Sequence, residues 1–332
     1  MLNAAILGLG WWGRTIVTTM QTSDALRVVA GIDPAPHAAL ACAELGIRHL
    51  PDFASALADP SIDTIILCTP HTQHAAQIQL AAASGKHVFC EKPLCLNLAD
   101  AQASVAACNA HGVMLGVGHE RRFEPAIADL RAIIAEGGLG TLLQMEANFS
   151  QDKFLSLPRD NWRLNPVEAP AGPMTATGIH LLDLAVSFLG NADRALVHVA
   201  QLGSDLTNGD TLAAMIRFKS GANALLTAIL ATPFDGRLAF YGSQGWAEIR
   251  DKTHPEAPEG WTMTIVERGK DRVVRDYPPT SSVRANLESF ARQALGRGTY
   301  LMPQDQMLAN IAALEAVFKS AASGEIVQVA AT

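Results

Sequence analysis

A chain of 332 residues is long for one domain and comfortable for two, each able to bury a substantial core. Apolar residues make up 49% of it, but they are dispersed, and no run is long enough to cross a bilayer as a helix. The formal net charge of −7, with no cluster of Lys or Arg, leaves no electrostatic footprint for nucleic acid, so neither nucleic acid nor membrane is expected as a partner and a small molecule fits better.

The opening Met1-Leu2-Asn3-Ala4 lacks the basic region and small-residue cleavage site of a secretory signal, and a cytoplasmic location is expected. It runs into Ala5-Ile6-Leu7, and the apolar run ends at Gly8, which predicts a strand buried on both faces of a parallel sheet. A helix is predicted over 12–20 and a second strand over 26–32, closed by Asp33-Pro34 because proline cannot donate to a ladder. An Ala-rich helix over 36–45 follows. Strands at 64–68, 87–90 and 114–117 then alternate with Ala-rich helices near 73–84 and 98–111, and this alternation implies a parallel, doubly wound sheet. The five cysteines (Cys42, Cys68, Cys90, Cys95, Cys108) are odd in number and confined to the first third, so free buried thiols are expected rather than a disulfide framework.

After Gly118 the rhythm changes. A helix near 124–136 leads to longer alternating segments at 142–150, 195–202, 211–219, 223–231 and 237–242, read as one large, mainly antiparallel open sheet. An irregular stretch from 151 to 173 and a helix over 175–189 lie between the first two, and helices near 283–295 and 304–322 finish the chain. The alternation Leu212, Ala214, Ile216, Phe218 suggests an open face for self-association, and a homodimer or homotetramer is expected.

Gly8-Leu9-Gly10-Trp11-Trp12-Gly13 is a G-x-G-x-x-G run between a strand and a helix, and Asp33 falls 20 residues after Gly13 at the end of the second strand. In that context the first glycine makes the turn and the second lets backbone approach a pyrophosphate. The third allows close helix packing, while the helix N-terminus supplies N–H groups and a positive dipole. Asp33 is suited to binding both ribose hydroxyls and to repelling a 2′-phosphate, and no Arg or Lys follows it through Leu40, so NAD is favoured over NADP. A plain turn role before Pro34 competes for the same residue. The fold class expected is α/β: an N-terminal Rossmann domain over 1–120 and a C-terminal α+β domain over 121–332 for substrate binding and oligomerisation.

Three further segments carry a resemblance: Cys68-Thr69-Pro70-His71-Thr72-Gln73-His74, Gly85-Lys86-His87-Val88-Phe89-Cys90-Glu91-Lys92-Pro93, and Gly178-Ile179-His180-Leu181-Leu182-Asp183. With Gly118-His119-Glu120-Arg121-Arg122-Phe123 and Asn161-Trp162-Arg163, they make the chain resemble, over essentially its whole length, the glucose-fructose oxidoreductase and inositol dehydrogenase family, Gfo/Idh/MocA. The resemblance implies an NAD(P)-dependent dehydrogenase acting on a secondary hydroxyl of a sugar, cyclitol or related polyol. It also implies that Lys92 contacts substrate oxygen and stabilises the alkoxide, and that His180 is the general base. Gly8, Gly10, Trp11, Trp12, Gly13, Asp33, Thr69, Pro70, His71, His74, Glu91 and Lys92 would line the cofactor, and Asp183, at i+3, would orient the His180 ring.

Two departures stand out. The family usually has Asp where this chain has Ala176, so Thr175, Thr177 or a water is expected to take over a hydrogen bond, and it commonly has Asn at the position of His71. His71 and His74 lie near Cys68 but have no further ligands at zinc-like spacing, so no metal is expected. Lys153, Arg159, Asn161, Trp162 and Arg163 crowd the irregular stretch, and Arg163 is the substrate contact expected there beside Thr177. Arg122 either faces a cleft or pairs with an acid, and His49, His111, His198 and His254 are left structural. The competing functions are a redox-neutral glycosidase or isomerising enzyme with bound NAD, a dihydrodiol or hydroxy-acid dehydrogenase, and a non-catalytic nucleotide-binding sensor.

Overall fold

A computed structural model describes residues 1–255 and 257–332. The chain forms two compact units, Met1–Glu120 with Ser281–Met307, and Arg121–Thr280 with Leu308–Thr332. The segment Ser281–Met307, which sequence alone leaves in the second domain, belongs to the first unit.

The first unit is built on six parallel strands, β1 (Leu2–Leu7), β2 (Leu26–Ile32), β3 (Arg48–His49), β4 (Thr64–Leu67), β5 (His87–Cys90) and β6 (Leu115–Val117), in the order β3-β2-β1-β4-β5-β6. The strand order reverses between β1 and β4, so the crevice outside their carboxyl ends is the ligand edge of such a sheet. All four residues of β4 are buried, as a central strand covered on both faces requires. Strand β3 has two residues, both exposed, and therefore leaves no apolar signature in the sequence. Helices Trp11–Met20, Ala38–Leu45, Phe53–Ala58, His74–Ala83 and Leu98–Ala110 connect the strands. Helix Ser282–Ala294 brings Phe290 edge-on to Phe89, with ring centroids 5.5 Å apart. Nearby, the Asn286 amide donates to the Val117 carbonyl at 3.0 Å and the Val117 N–H donates to the Tyr300 hydroxyl oxygen at 3.1 Å, so backbone at the β6 edge is satisfied by side chains.

The second unit holds nine strands: β7 (Leu142–Ser150), β8 (Ala192–Ala200), β9 (Thr211–Phe218), β10 (Asn223–Ile229), β11 (Asp235–Gly242), β12 (Gly245–Asp251), β13 (Trp261–Glu267), β14 (Val273–Tyr277) and β15 (Val327–Gln328). Their order is β14-β13-β12-β11-β7-β10-β9-β8-β15, with β7 and β10 parallel and the other neighbours antiparallel. Alternate residues of β7, Met145, Ala147 and Phe149, are buried, and helix Ile179–Leu189 buries nearly all its side chains. One expectation is corrected here. Leu212, Ala214, Ile216 and Phe218 are buried in the core, and the exposed face of β9 carries Ala213, Met215 and Arg217 instead. Period-2 alternation identifies two faces but not which apolar face a helix covers. On the exposed side, Leu196 of β8 sits opposite Met215, and Met215 opposite Leu225 of β10. Among the described residues no helix is long and apolar enough to cross a membrane.

Candidate functional site

In the first unit, backbone turns at the carboxyl ends of β1, β2, β4 and β5 present the candidate residues. Gly8 has φ +100°, and a Cβ there would lie 2.6 Å from the Cys68 carbonyl oxygen, while one on Gly13 would lie 2.0 Å from that of Gly8. A Cβ on Gly10 would meet nothing within 4 Å. The protein's own packing therefore demands glycine at Gly8 and Gly13 but not at Gly10, which opens onto free space. Gly10 also caps helix Trp11–Met20 without a side-chain hydrogen bond, so the first-turn N–H groups face outward in the manner of an anion site. Exposed Trp11 stands edge-on to Trp12, centroids 5.1 Å apart.

Asp33 combines the two roles the sequence left open. Its Oδ2 accepts the Leu9 N–H at 2.7 Å, tying the glycine-rich loop to the end of β2, and its Oδ1 accepts the Ala35 N–H at 2.8 Å in its own turn. Each carboxylate oxygen keeps a further lone pair for a hydroxyl donor. After β4, the Thr69 hydroxyl donates to Gln77 Oε1 at 2.6 Å, Pro70 leads into the next turn, and His71 is buried with its ring 5.8 Å from that of His74. His74 is wholly buried, and each ring nitrogen faces a backbone carbonyl, Nδ1 that of Pro93 at 2.9 Å and Nε2 that of Thr69 at 3.1 Å. Both ring nitrogens therefore face backbone. Among the described residues no group of three or more His, Cys, Asp or Glu is placed to hold a metal ion.

Glu91 continues β5, with its N–H donating to the Leu67 carbonyl at 2.9 Å, and its buried carboxylate lies where a Cβ on Gly118 would stand 2.6 Å away. Gly118 thus makes room for Glu91. Half-buried Lys92 follows and is joined to Pro93 by a cis peptide bond. Cys90 is inside the unit. Its Sγ donates to the Glu91 carbonyl at 3.2 Å and burial pushes the thiol well up, so it stays protonated and unreactive. All five cysteines are free.

In the second unit, Met174–Gly178 forms a π-helical turn rather than the start of a regular α-helix, and His180 follows as the second residue of helix Ile179–Leu189. The turn is entered through Ala171 at φ +48° and is fixed by Thr175, whose hydroxyl donates to the Gly172 carbonyl at 3.2 Å. Thr177, expected to meet substrate, donates its hydroxyl to the Phe149 carbonyl at 2.8 Å, which anchors the turn to β7. The His180 ring is buried and lies 5.9 Å from the Phe149 ring. Ala176 packs against Leu164, Leu206 and Leu230 with Phe154 and Leu157 beside it, an apolar setting with no use for a carboxylate at that position.

Asp183, expected to orient the His180 ring, is paired with Arg122. Arg122 Nε and Nη2 each donate to one oxygen of Asp183 at 2.7 Å, a two-pronged pair in which both side chains are 1% exposed. Next to it in sequence, Arg121 donates to Glu124 at 2.9 Å and to both oxygens of Asp251 at 2.8 Å. The two carboxylates raise its affinity for its proton against the opposing effect of burial. The Arg121 guanidinium also sits 5.4 Å from the Phe149 ring centre. Arg163 stacks its guanidinium over Trp162 at 4.3 Å, and exposed Arg159 pairs with Asp205.

His254, left structural by the sequence, belongs to this neighbourhood. Its ring is 5.8 Å from that of Phe149 and 5.4 Å from that of Phe234, Lys153 Nζ lies 3.0 Å from Nδ1, and Nε2 is 2.6 Å from Gln151 Oε1. Burial, with Lys153 and Arg121 adding to it, holds His254 down at about 4, so near neutrality the ring accepts from the ammonium and donates to the amide. No local pattern could have marked it, since its partners lie about a hundred residues away in sequence.

Residues 2–119 match the family described as "Oxidoreductase family, NAD-binding Rossmann fold", and residues 127–248 match the GFO/IDH/MocA C-terminal domain. The scyllo-inositol 2-dehydrogenase (NAD(+)) of Bacillus subtilis is 32% identical over 257 residues, 74% of this chain and 72% of that one. D-xylose 1-dehydrogenase (NADP(+)) 2 of Haloferax volcanii is 27% identical over 97% of this chain and 98% of its own. The crystal structure of aldose-aldose oxidoreductase from Caulobacter crescentus, complexed with glycerol, superimposes with a TM-score of 0.86 at 25% identity, covering 98% of this chain and 99% of that one.

Proposed function

The chain belongs to the Gfo/Idh/MocA family of NAD-binding oxidoreductases, and we propose that it oxidises a secondary hydroxyl of a sugar, cyclitol or related polyol, with Lys92 and His180 as its catalytic residues. The observation that carries the reading is the asymmetry of the three glycines: Gly8 and Gly13 are hemmed in by backbone, whereas Gly10 opens beside an uncapped helix N-terminus. A pyrophosphate fits that opening, and Asp33 at the end of β2 is suited to ribose hydroxyls. NAD held there would supply the acceptor for the hydride of the carbinol carbon.

The remaining chemistry falls to side chains. The Lys92 ammonium stabilises negative charge growing on the substrate oxygen, and His180 takes the hydroxyl proton. Thr177, through Phe149, holds the turn that carries His180. Ala176, set among leucines, supplies no carboxylate to that histidine. Binding that orients the carbinol hydrogen supplies much of the rate.

The test is absorbance at the NADH band across polyols, sugar acids and dihydrodiols, followed by Lys92→Ala. That variant is expected to bind NAD as the wild type does and to lose turnover by about a hundredfold or more. Near-normal turnover would remove Lys92 from the mechanism. NAD affinity with no NADH from any substrate would point to a redox-neutral enzyme or a sensor.

The row Leu196, Met215 and Leu225, exposed by 37%, 47% and 39%, gives the open face of the second unit an apolar strip across three strands. A homodimer or homotetramer through that face is the assembly we propose. Light scattering on the eluting protein would return more than one subunit mass, and a single subunit mass would sink the idea.

A further inference from the structure

His74 was singled out as a residue of the cofactor wall, but its geometry fits another task. It opens helix His74–Ala83, is 0% exposed, and lies between two turns that the proposed reaction uses. One is Thr69-Pro70 after β4 and the other is Glu91-Lys92-Pro93 after β5. Nδ1 is 2.9 Å from the Pro93 carbonyl oxygen and Nε2 is 3.1 Å from that of Thr69. Carbonyls only accept, so a neutral ring donates to one of them at a time, according to its tautomer, and only an imidazolium donates to both.

We propose that His74 is a positioning residue, a two-armed clamp that sets the Lys92 turn against the Thr69-Pro70 turn and thereby registers the substrate-activating ammonium with the cofactor-facing wall. The inference rests on the oxidoreductase reading for its consequence in catalysis, and on the geometry of the first unit alone for the clamp. A buried carbonyl deprived of its donor is costly, so each arm has a separate effect. The Pro93 arm acts on Lys92, and the Thr69 arm acts on cofactor affinity.

Two amide substitutions separate the arms, because the Asn nitrogen falls near the place of Nδ1 and the Gln nitrogen reaches that of Nε2. His74→Asn keeps a donor for Pro93 and is expected to raise the NAD dissociation constant, read by tryptophan fluorescence, by about tenfold while turnover stays within about threefold. His74→Gln keeps a donor for Thr69 and is expected to do the reverse. The second readout for the Pro93 arm is the rate at which an acylating reagent modifies Lys92, followed by peptide mass spectrometry, which needs no substrate. Equal losses in both variants, or either variant matching the wild type in every readout, would overturn the clamp. A wild type that binds NAD but reduces none of it with any polyol would sink the oxidoreductase reading instead, and the affinity and acylation readouts would still decide on His74.

Discussion

In the first unit the groups suited to a dinucleotide are presented by backbone: three glycines, a helix N-terminus and short turns at the ends of parallel strands. In the second, the surroundings of His180 are assembled from side chains that hold one another, Phe149 with His254, Arg121 with Glu124 and Asp251, Arg122 with Asp183. A backbone site is encoded by consecutive residues and survives wherever the turn survives. A side-chain site depends on pairings between residues distant in sequence, up to the 130 between Arg121 and Asp251, and is lost when one partner goes.

The largest expected effect breaks the second kind of site. Arg122→Met leaves the Asp183 carboxylate buried without its guanidinium, at a cost of about 3–5 kcal/mol, because a buried charge without its partner is penalised far beyond the value of the pair. Adding Asp183→Leu removes the stranded charge and should return most of the loss. Urea unfolding of the two variants checks this, and a single substitution no worse than a surface change would show that the pair is not what holds this helix in place.

A smaller effect separates folding from binding in the first unit. Gly13→Ala drives a methyl to 2.0 Å from the Gly8 carbonyl, so the loop must move, with an expected destabilisation of about 1–3 kcal/mol and loss of NAD binding. Gly10→Ala points its methyl into open space. Its melting temperature should match the wild type while NAD affinity falls by about tenfold or more, since only an approaching pyrophosphate would meet that methyl. Calorimetric melting and titration with NAD give both numbers, and equal stability losses in the two variants would refute the distinction.

This contrast also explains what could be read from the sequence. The strands β1, β2, β4, β5 and β6 were legible because each is a short apolar run ended by a breaker, and Gly8, Gly10, Gly13 and Asp33 because their spacing is local. Strands β12, β13 and β14 were missed. Trp261, Met263 and Ile265 of β13 do alternate with threonines, but β14 is mostly exposed and carries no apolar face to register. The return of Ser281–Met307 to the first unit had no local signal either, since Phe290 and Tyr300 reveal their partners only in the folded chain. At the site, the motif around His180 was visible, but the choice of Asp183 as the acid for Arg122, 61 residues away, had no local signal.

The smallest effect sharpens the comparison through pH. His254 titrates at about 4 in the folded protein against an ordinary 6.5, chiefly because burial disfavours its charged form, with Lys153 and Arg121 contributing. As pH falls below 6.5 the unfolded chain takes up this proton while the folded chain does not, so the stability contributed by the neutral ring is complete above 6.5 and is lost progressively towards 4. His254→Gln cannot titrate and should show a shallower fall in unfolding free energy across that window than the wild type. Parallel stability curves would mean that His254 is solvated enough to titrate normally.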